Sequence, residues 1–118
     1  MNYLLLIYNN EAETMAMDES ALKKMMGDYM DFTKSIVQTG NFKAGDRLKP
    51  VSSASTVRVR NGKAATTDGP FAETREQLGG YYLIEAKNLD EATAIAARIP
   101  GAKYGSIEVR PVWPPAAY

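Results

Sequence analysis

Residues 68–86 read DGPFAETREQLGGYYLIEA, and the fold turns on how this stretch divides. Its last part, Gly80 to Ala86, is Tyr-rich and apolar at successive positions, which predicts a strand with large groups on both faces. Asp68-Gly69-Pro70 is turn chemistry: the carboxylate accepts backbone N–H groups, Gly69 relaxes the backbone and Pro70 fixes φ. Between turn and strand, Glu73, Arg75, Glu76 and Gln77 read as an exposed linker. The Gly79-Gly80 pair predicts a bulge or a close backbone approach at the strand entrance. It is no phosphate loop, because no Lys-Ser/Thr pair and no helix follow it.

Beyond this strand, Asn88 with Glu91 three residues later resembles a capping box and opens a helix that Pro100-Gly101 stops. Leu89, Ala92, Ile95, Ala96 and Ile99 form its inner face. Ser106 to Val112 alternates as a final strand, and PVWPPAAY leaves as a Pro-rich tail. Before the turn, Val57 and Val59 alternate with Arg58 and Arg60, Asn61-Gly62 supplies a two-residue hairpin turn, and Lys63 to Thr67 returns. Both arms have a polar face, which puts the hairpin at an edge or on a wet cavity.

At the start of the chain, Tyr3 to Tyr8 reads as a central strand, and Glu11 to Met17 as a polar, mobile segment. Asp18 caps a helix whose apolar stripe runs Leu22, Met25, Met26, Tyr29, Thr33, Ile36 and Val37, ending at Gly40. The methionines on this stripe read as core filling. A short strand near Asn41 to Ala44 and a loop at Gly45-Asp46-Arg47 complete the series.

Strand, helix, strand, hairpin, strand, helix, strand is the order of a split βαβ arrangement: an α+β, ferredoxin-like antiparallel sheet with an extra hairpin and both helices on one face. The chain has 118 residues and predicts one domain over 1–118. Because strands 3–8 and 81–84 carry apolar groups on both faces, the face without helices needs a cover, and a second copy of the sheet is the simplest one. A homodimer with a cavity between its two sheets is the expectation.

Fourteen Lys and Arg balance fourteen Asp and Glu, so neither nucleic acid nor a membrane surface is an expected partner. The sequence holds no Cys and no His, and its carboxylates are not spaced as a cluster, so neither a metal nor a cofactor is expected. The opening MNYLLLIYNN lacks a basic leader and a small-residue cleavage site, and no run reaches the roughly 20 apolar residues of a membrane span. A cytoplasmic location is the expectation.

From Thr56 to Val112 the sequence resembles the DGPF-domain branch of the YCII-related family, through the joined motifs Asp68-Gly69-Pro70-Phe71 and Glu108-Val109-Arg110-Pro111-Val112, with a looser match at YLLLIY. The resemblance implies a ferredoxin-like α+β barrel built by dimerisation. It also implies that some members are encoded beside extracytoplasmic-function sigma factors, and in related proteins a His–Asp pair regarded as an active site, which this chain, without His, cannot reproduce.

The candidate site residues are six. Asp68 is the candidate acid or base, against its plain role in the turn. Arg58, Arg110 and Glu108 lie on polar strand faces, where the guanidinium groups suit an anionic ligand or simply pair with the carboxylate across strands. Tyr82 offers a hydroxyl and Phe71 an apolar anchor. The leading functional expectation is a small dimer that binds a small anionic organic molecule between its sheets. The alternatives are a lyase, isomerase or hydrolase working through Asp68, and a protein-interaction module attached to a sigma factor.

Overall fold

The computed structural model describes residues 1–115; the last three residues of the expected Pro-rich tail lie outside the described residues. Six strands and three α-helices follow one another as β1 (Asn2–Asn9), α1 (Glu11–Met15), α2 (Glu19–Gln38), β2 (Phe42–Arg47), β3 (Ser55–Arg60), β4 (Lys63–Asp68), β5 (Gln77–Glu85), α3 (Leu89–Ala97) and β6 (Ser106–Pro111). Short 3₁₀ turns stand at Val51–Ser53 and Pro100–Lys103.

The main sheet has the order β2-β5-β1-β6, with every neighbouring pair antiparallel. In β1-α2-β2 the returning strand leaves a gap that β5 fills, and in β5-α3-β6 it leaves a gap that β1 fills. These interleaved units make the fold a ferredoxin-like α+β sheet, as the element order predicted.

Alternation along the inner strands decides what faces the helices. Tyr3, Leu5 and Ile7 of β1 and Tyr82 and Ile84 of β5 are buried under Phe32 and Ile36 of α2 and Ala92, Ile95 and Ala96 of α3. The alanines of α3 let its axis sit close to the sheet. Asp18 and Asn88 cap their helices as expected, accepting from the backbone of Ala21 at 2.7 Å and of Glu91 at 2.9 Å. The capping box at Asn88 is only half formed, because the Glu91 carboxylate takes a hydrogen bond from the Asn41 side chain instead.

Four local expectations are corrected. Residues 11–15, read as part of a polar, mobile segment, form a helix capped by Asn10, whose side chain accepts from Glu13 N at 3.1 Å. β2 runs through Gly45-Asp46-Arg47, which had read as a loop. Gly45 is a requirement of that strand, since a Cβ there would stand 2.8 Å from Tyr82 Cδ1. On α2 the buried positions are Phe32 and Ile36, while Val37 is exposed. The N-terminal half of α2 overhangs the sheet, so its methionines face a space and are not core filling.

The hairpin forms as predicted, with Asn61 at φ 54° and Gly62 at φ 76°. It builds its own two-stranded sheet, β3 with β4, and stands away from the main sheet as an arm. The described shape reflects this: its extents are 48 × 46 × 19 Å, and its radius of gyration is 16.3 Å where a compact chain of this length gives about 13.5 Å.

Candidate functional site

Where the N-terminal half of α2 lifts from the sheet, a cavity of about 720 Å³ opens over the ends of β1, β5 and β2. Two features of the sequence make it. The first is the floor: a Cβ on Gly80 would come within 2.9 Å of the Asp46 carbonyl oxygen, so a backbone without side chains lies where β5 meets β2. Gly79 is the extra residue of a bulge, because Ile7 pairs with Gly80 and Tyr8 with Leu78. The second feature is the wall. Met15, Met17, Met25, Met26 and Met30 line the cavity, five of the six methionines in the chain. Unbranched thioethers make a soft apolar lining that adapts to different shapes.

Of the polar residues that line the cavity, Tyr82, Thr33 and Tyr29 are joined to one another. Tyr82 Oη lies 2.7 Å from Thr33 Oγ1, and Thr33 Oγ1 lies 2.9 Å from the Tyr29 carbonyl oxygen. A threonine has one hydroxyl proton; given to the carbonyl, it leaves Tyr82 as donor to Thr33, with a phenolic lone pair free. The Tyr82 ring is fixed edge-on against Phe32 and Phe42, with centroids 5.3 and 6.3 Å away.

Burial pushes the Tyr29 phenol above its ordinary value of 10.0, against the Gly101 backbone hydrogen bond and the Arg47 charge, which both lower it. Burial likewise raises Tyr82, opposed by its bond to Thr33. Both phenols are therefore neutral near pH 7 and act as hydrogen-bonding groups, not as bases.

At the rim, Arg47 touches Met26 Sδ through Nη1 at 3.7 Å, and neither Arg47 nor Lys34 forms an ion pair among the described residues. Of the three carboxylates in the lining, Glu13 has no side-chain partner among the described residues and the other two are engaged. Glu11 accepts from Val51 N at 3.0 Å, and Asp46 accepts the Tyr81 hydroxyl at 2.7 Å. Among the described residues no three carboxylates gather as metal ligands would.

The six residues singled out in the sequence do not meet. Tyr82 alone lines the cavity, on the helix-covered side of the sheet. Glu108 and Arg110 pair with each other on the opposite, open face of β6, beside Leu6 and Leu4 of β1. Arg58 is on the arm, Asp68 is exposed at the arm's base, and Phe71 is 78% exposed just beyond it. Tyr29, Thr33 and Arg47 were missed. The signal for Tyr29 and Thr33 was the run Met25, Met26, Tyr29, Met30, Thr33, which has too many flexible and polar members for a sealed core, while Arg47 was hidden in a stretch read as loop.

Fold and cavity together define a ferredoxin-like α+β protein with a ligand-sized space between one helix and its sheet. The chain belongs to the YCII-related family: the YCII-related domain model matches residues 1–115. It is 40% identical over 114 residues to an uncharacterized protein of Rhizobium meliloti (strain 1021), a match that covers 95% of this chain and 92% of that one. Among solved structures it resembles 5-chloro-2-hydroxyhydroquinone dehydrochlorinase of Burkholderia phenoliruptrix AC1100, in complex with 2,5-dihydroxybenzoquinone. That likeness has 13% identity and a TM-score of 0.49, and covers 96% of this chain and 94% of that chain. Among the described residues no helix is long and apolar enough to cross a membrane.

Proposed function

We propose that this protein binds a small organic acid with an apolar, ring-sized body in the cavity between α2 and the sheet. The observation that carries the reading is the pairing of a methionine wall with an uncommitted guanidinium at its rim. A volume of about 720 Å³ falls in the range of small-molecule sites, roughly 300–1,000 Å³. The methionines accept an apolar body of variable outline, the neutral phenols hydrogen-bond a polar substituent, and the fork of Arg47 suits a carboxylate. The reading keeps the anionic ligand expected from sequence but moves it from an inter-sheet space to a space within one chain.

The test is a thermal-shift series of aromatic and alicyclic monocarboxylates. A ligand at 100 times its dissociation constant adds about 2.7 kcal/mol, roughly 10 °C in Tm for a chain of this size. Arg47→Gln is expected to weaken binding at least about tenfold, the loss of one charge-assisted hydrogen bond. No shift with any acid at millimolar concentration would sink the reading.

We also propose that two copies associate through the open face of the sheet. Leu4, Leu6 and Leu83 form its centre, flanked by Tyr81 with Asp46 on one side and Glu108 with Arg110 on the other. A half-apolar sheet face of this kind is stable when covered. Sedimentation equilibrium is the check, with Leu6→Lys expected to give monomers.

A further inference from the structure

The motif that the cavity does not use is Asp68-Gly69-Pro70-Phe71, and its surroundings assign it a task. Gly69 N donates to the Ala54 carbonyl oxygen at 2.7 Å, and Thr56 Oγ1 donates to the Gly69 carbonyl oxygen at 2.9 Å. Gly69 stands at φ +94°, which a residue with a Cβ rarely adopts, and Pro70 fixes the next φ. The motif therefore pinches the base of the β3–β4 arm shut and turns the chain so that Phe71 is left in solvent.

The arm itself has two unlike faces. Val57 and Val59 lie on one side, 62% and 59% exposed, with Ala64 paired to Val59. Arg58, Arg60 and Lys63 lie on the other. A two-stranded hairpin with nothing packed on it is marginal in water at best.

We propose that the arm clasps a second copy of this chain, laying Val57, Val59 and Phe71 on the partner subunit while its own body receives the partner's arm. This rests on the self-association proposed above and adds to it a structural element that the open sheet face does not supply.

The exposed area favours a second copy as the occupant. The chain exposes 8426 Å², whereas a compact monomer of 12.9 kDa exposes about 6,300 Å². The surplus, roughly 2,100 Å² per chain, is what a subunit of an obligate homodimer buries, and exceeds the roughly 800 Å² per partner of a standard interface.

The test is sedimentation equilibrium of three proteins: wild type, a form in which residues 55–68 are excised and Ala54 is joined through two glycines to Gly69, and Phe71→Ser. The 2.7 Å bond between Ala54 and Gly69 makes the excision a short bridge. Phe71 touches no core, so its replacement serves if the excised form does not fold. Wild type is expected to be dimeric. A buried aromatic at an interface is worth about tenfold in affinity or more, and a two-fold interface loses it twice, so Phe71→Ser is expected to dissociate about 100-fold more readily. The excised form is expected to be a folded monomer that keeps its carboxylate thermal shift. Unchanged dimerisation in both variants would overturn the clasp and leave the sheet interface standing; a wild-type monomer at about 100 times the concentration of a typical micromolar dissociation constant would overturn both.

Discussion

A single methyl group at Gly101 separates the proposed ligand site from the stability of the fold. A Cβ on Gly101 would stand 2.5 Å from Tyr29 Oη and 3.5 Å from Ile7 Cγ2. The second contact is ordinary; the first requires the phenol to retreat by about 0.9 Å to reach the 3.4 Å at which ordinary contact begins. The far end of a side chain can do this, and the open space beside the Tyr29 ring is the cavity. Gly101→Ala therefore costs about 1–3 kcal/mol of overpacking, offset by about 0.4–1 kcal/mol from a less flexible unfolded chain. The net loss is about 1 kcal/mol, or about 4 °C in Tm. The effect on binding is larger in kind, since the phenol moves about 0.9 Å into the volume that a ring-sized ligand needs. Titration of the best acid from the thermal-shift series, read by calorimetry, is expected to show at least a tenfold loss of affinity, about 1.4 kcal/mol. Full affinity in a variant whose Tm has fallen would refute the placement of the ligand beside Tyr29.

Gly45→Ala is expected to be worse for folding than Gly101→Ala, because its Cβ would meet the wedged Tyr82 ring at 2.8 Å and the Tyr81 carbonyl oxygen at 3.1 Å; a loss of about 2–3 kcal/mol in urea unfolding is the expected result. Asn88→Ala removes the cap of α3 and is expected to cost about 1 kcal/mol, measured in the same way, with ligand affinity unchanged. Tyr29 and Tyr82 bind their protons more tightly in the folded chain than in the unfolded one. Their contribution is therefore fully present below the ordinary value of 10.0 and is lost as pH rises through their higher folded values. Unfolding midpoints followed from about pH 8 to about pH 11 are expected to fall at the alkaline end, and to fall less in a Tyr29→Phe, Tyr82→Phe double variant.

Apart from α1, the order of elements was legible because each carries a local signal: apolar runs for β1 and β5, Asp18 and Asn88 as caps, and Asn61-Gly62 for the hairpin. The cavity was not legible, for a reason that Met25, Met26 and Met30 illustrate. Helical periodicity says which residues share a face but not how far the helix stands from the sheet, and that distance decides between a packed core and a space. Gly45 carried the missing information in a form that reads locally as loop, and Gly80 as a close backbone approach whose partner, the Asp46 carbonyl, the sequence does not name. A glycine inside a strand becomes informative only once the side chain opposite it is known, here the ring of Tyr82. The candidate residues scattered for a related reason. A polar strand face is visible in sequence, whereas whether that face belongs to the main sheet, as for Glu108 and Arg110, or to a separate arm, as for Arg58, is settled by long-range pairing.

Strand β5 shows how one segment serves two surfaces without mixing them. Tyr82 and Ile84 face the helices while Tyr81 and Leu83 face the open side, so the cavity and the open face draw on adjacent residues of one strand. The bulge at Gly79 keeps this division in order. Leu78 pairs with Tyr8, whose neighbours Leu4 and Leu6 make up the open face, so Leu78 joins that face. Strict alternation back from Gly80 would instead turn Leu78 toward the cavity and fill the floor that the glycines leave clear. The extra residue thus preserves an apolar group on one surface and a space on the other. The cavity and the open face therefore lie on opposite sides of one backbone, which β5 shares in register with β1 and β2.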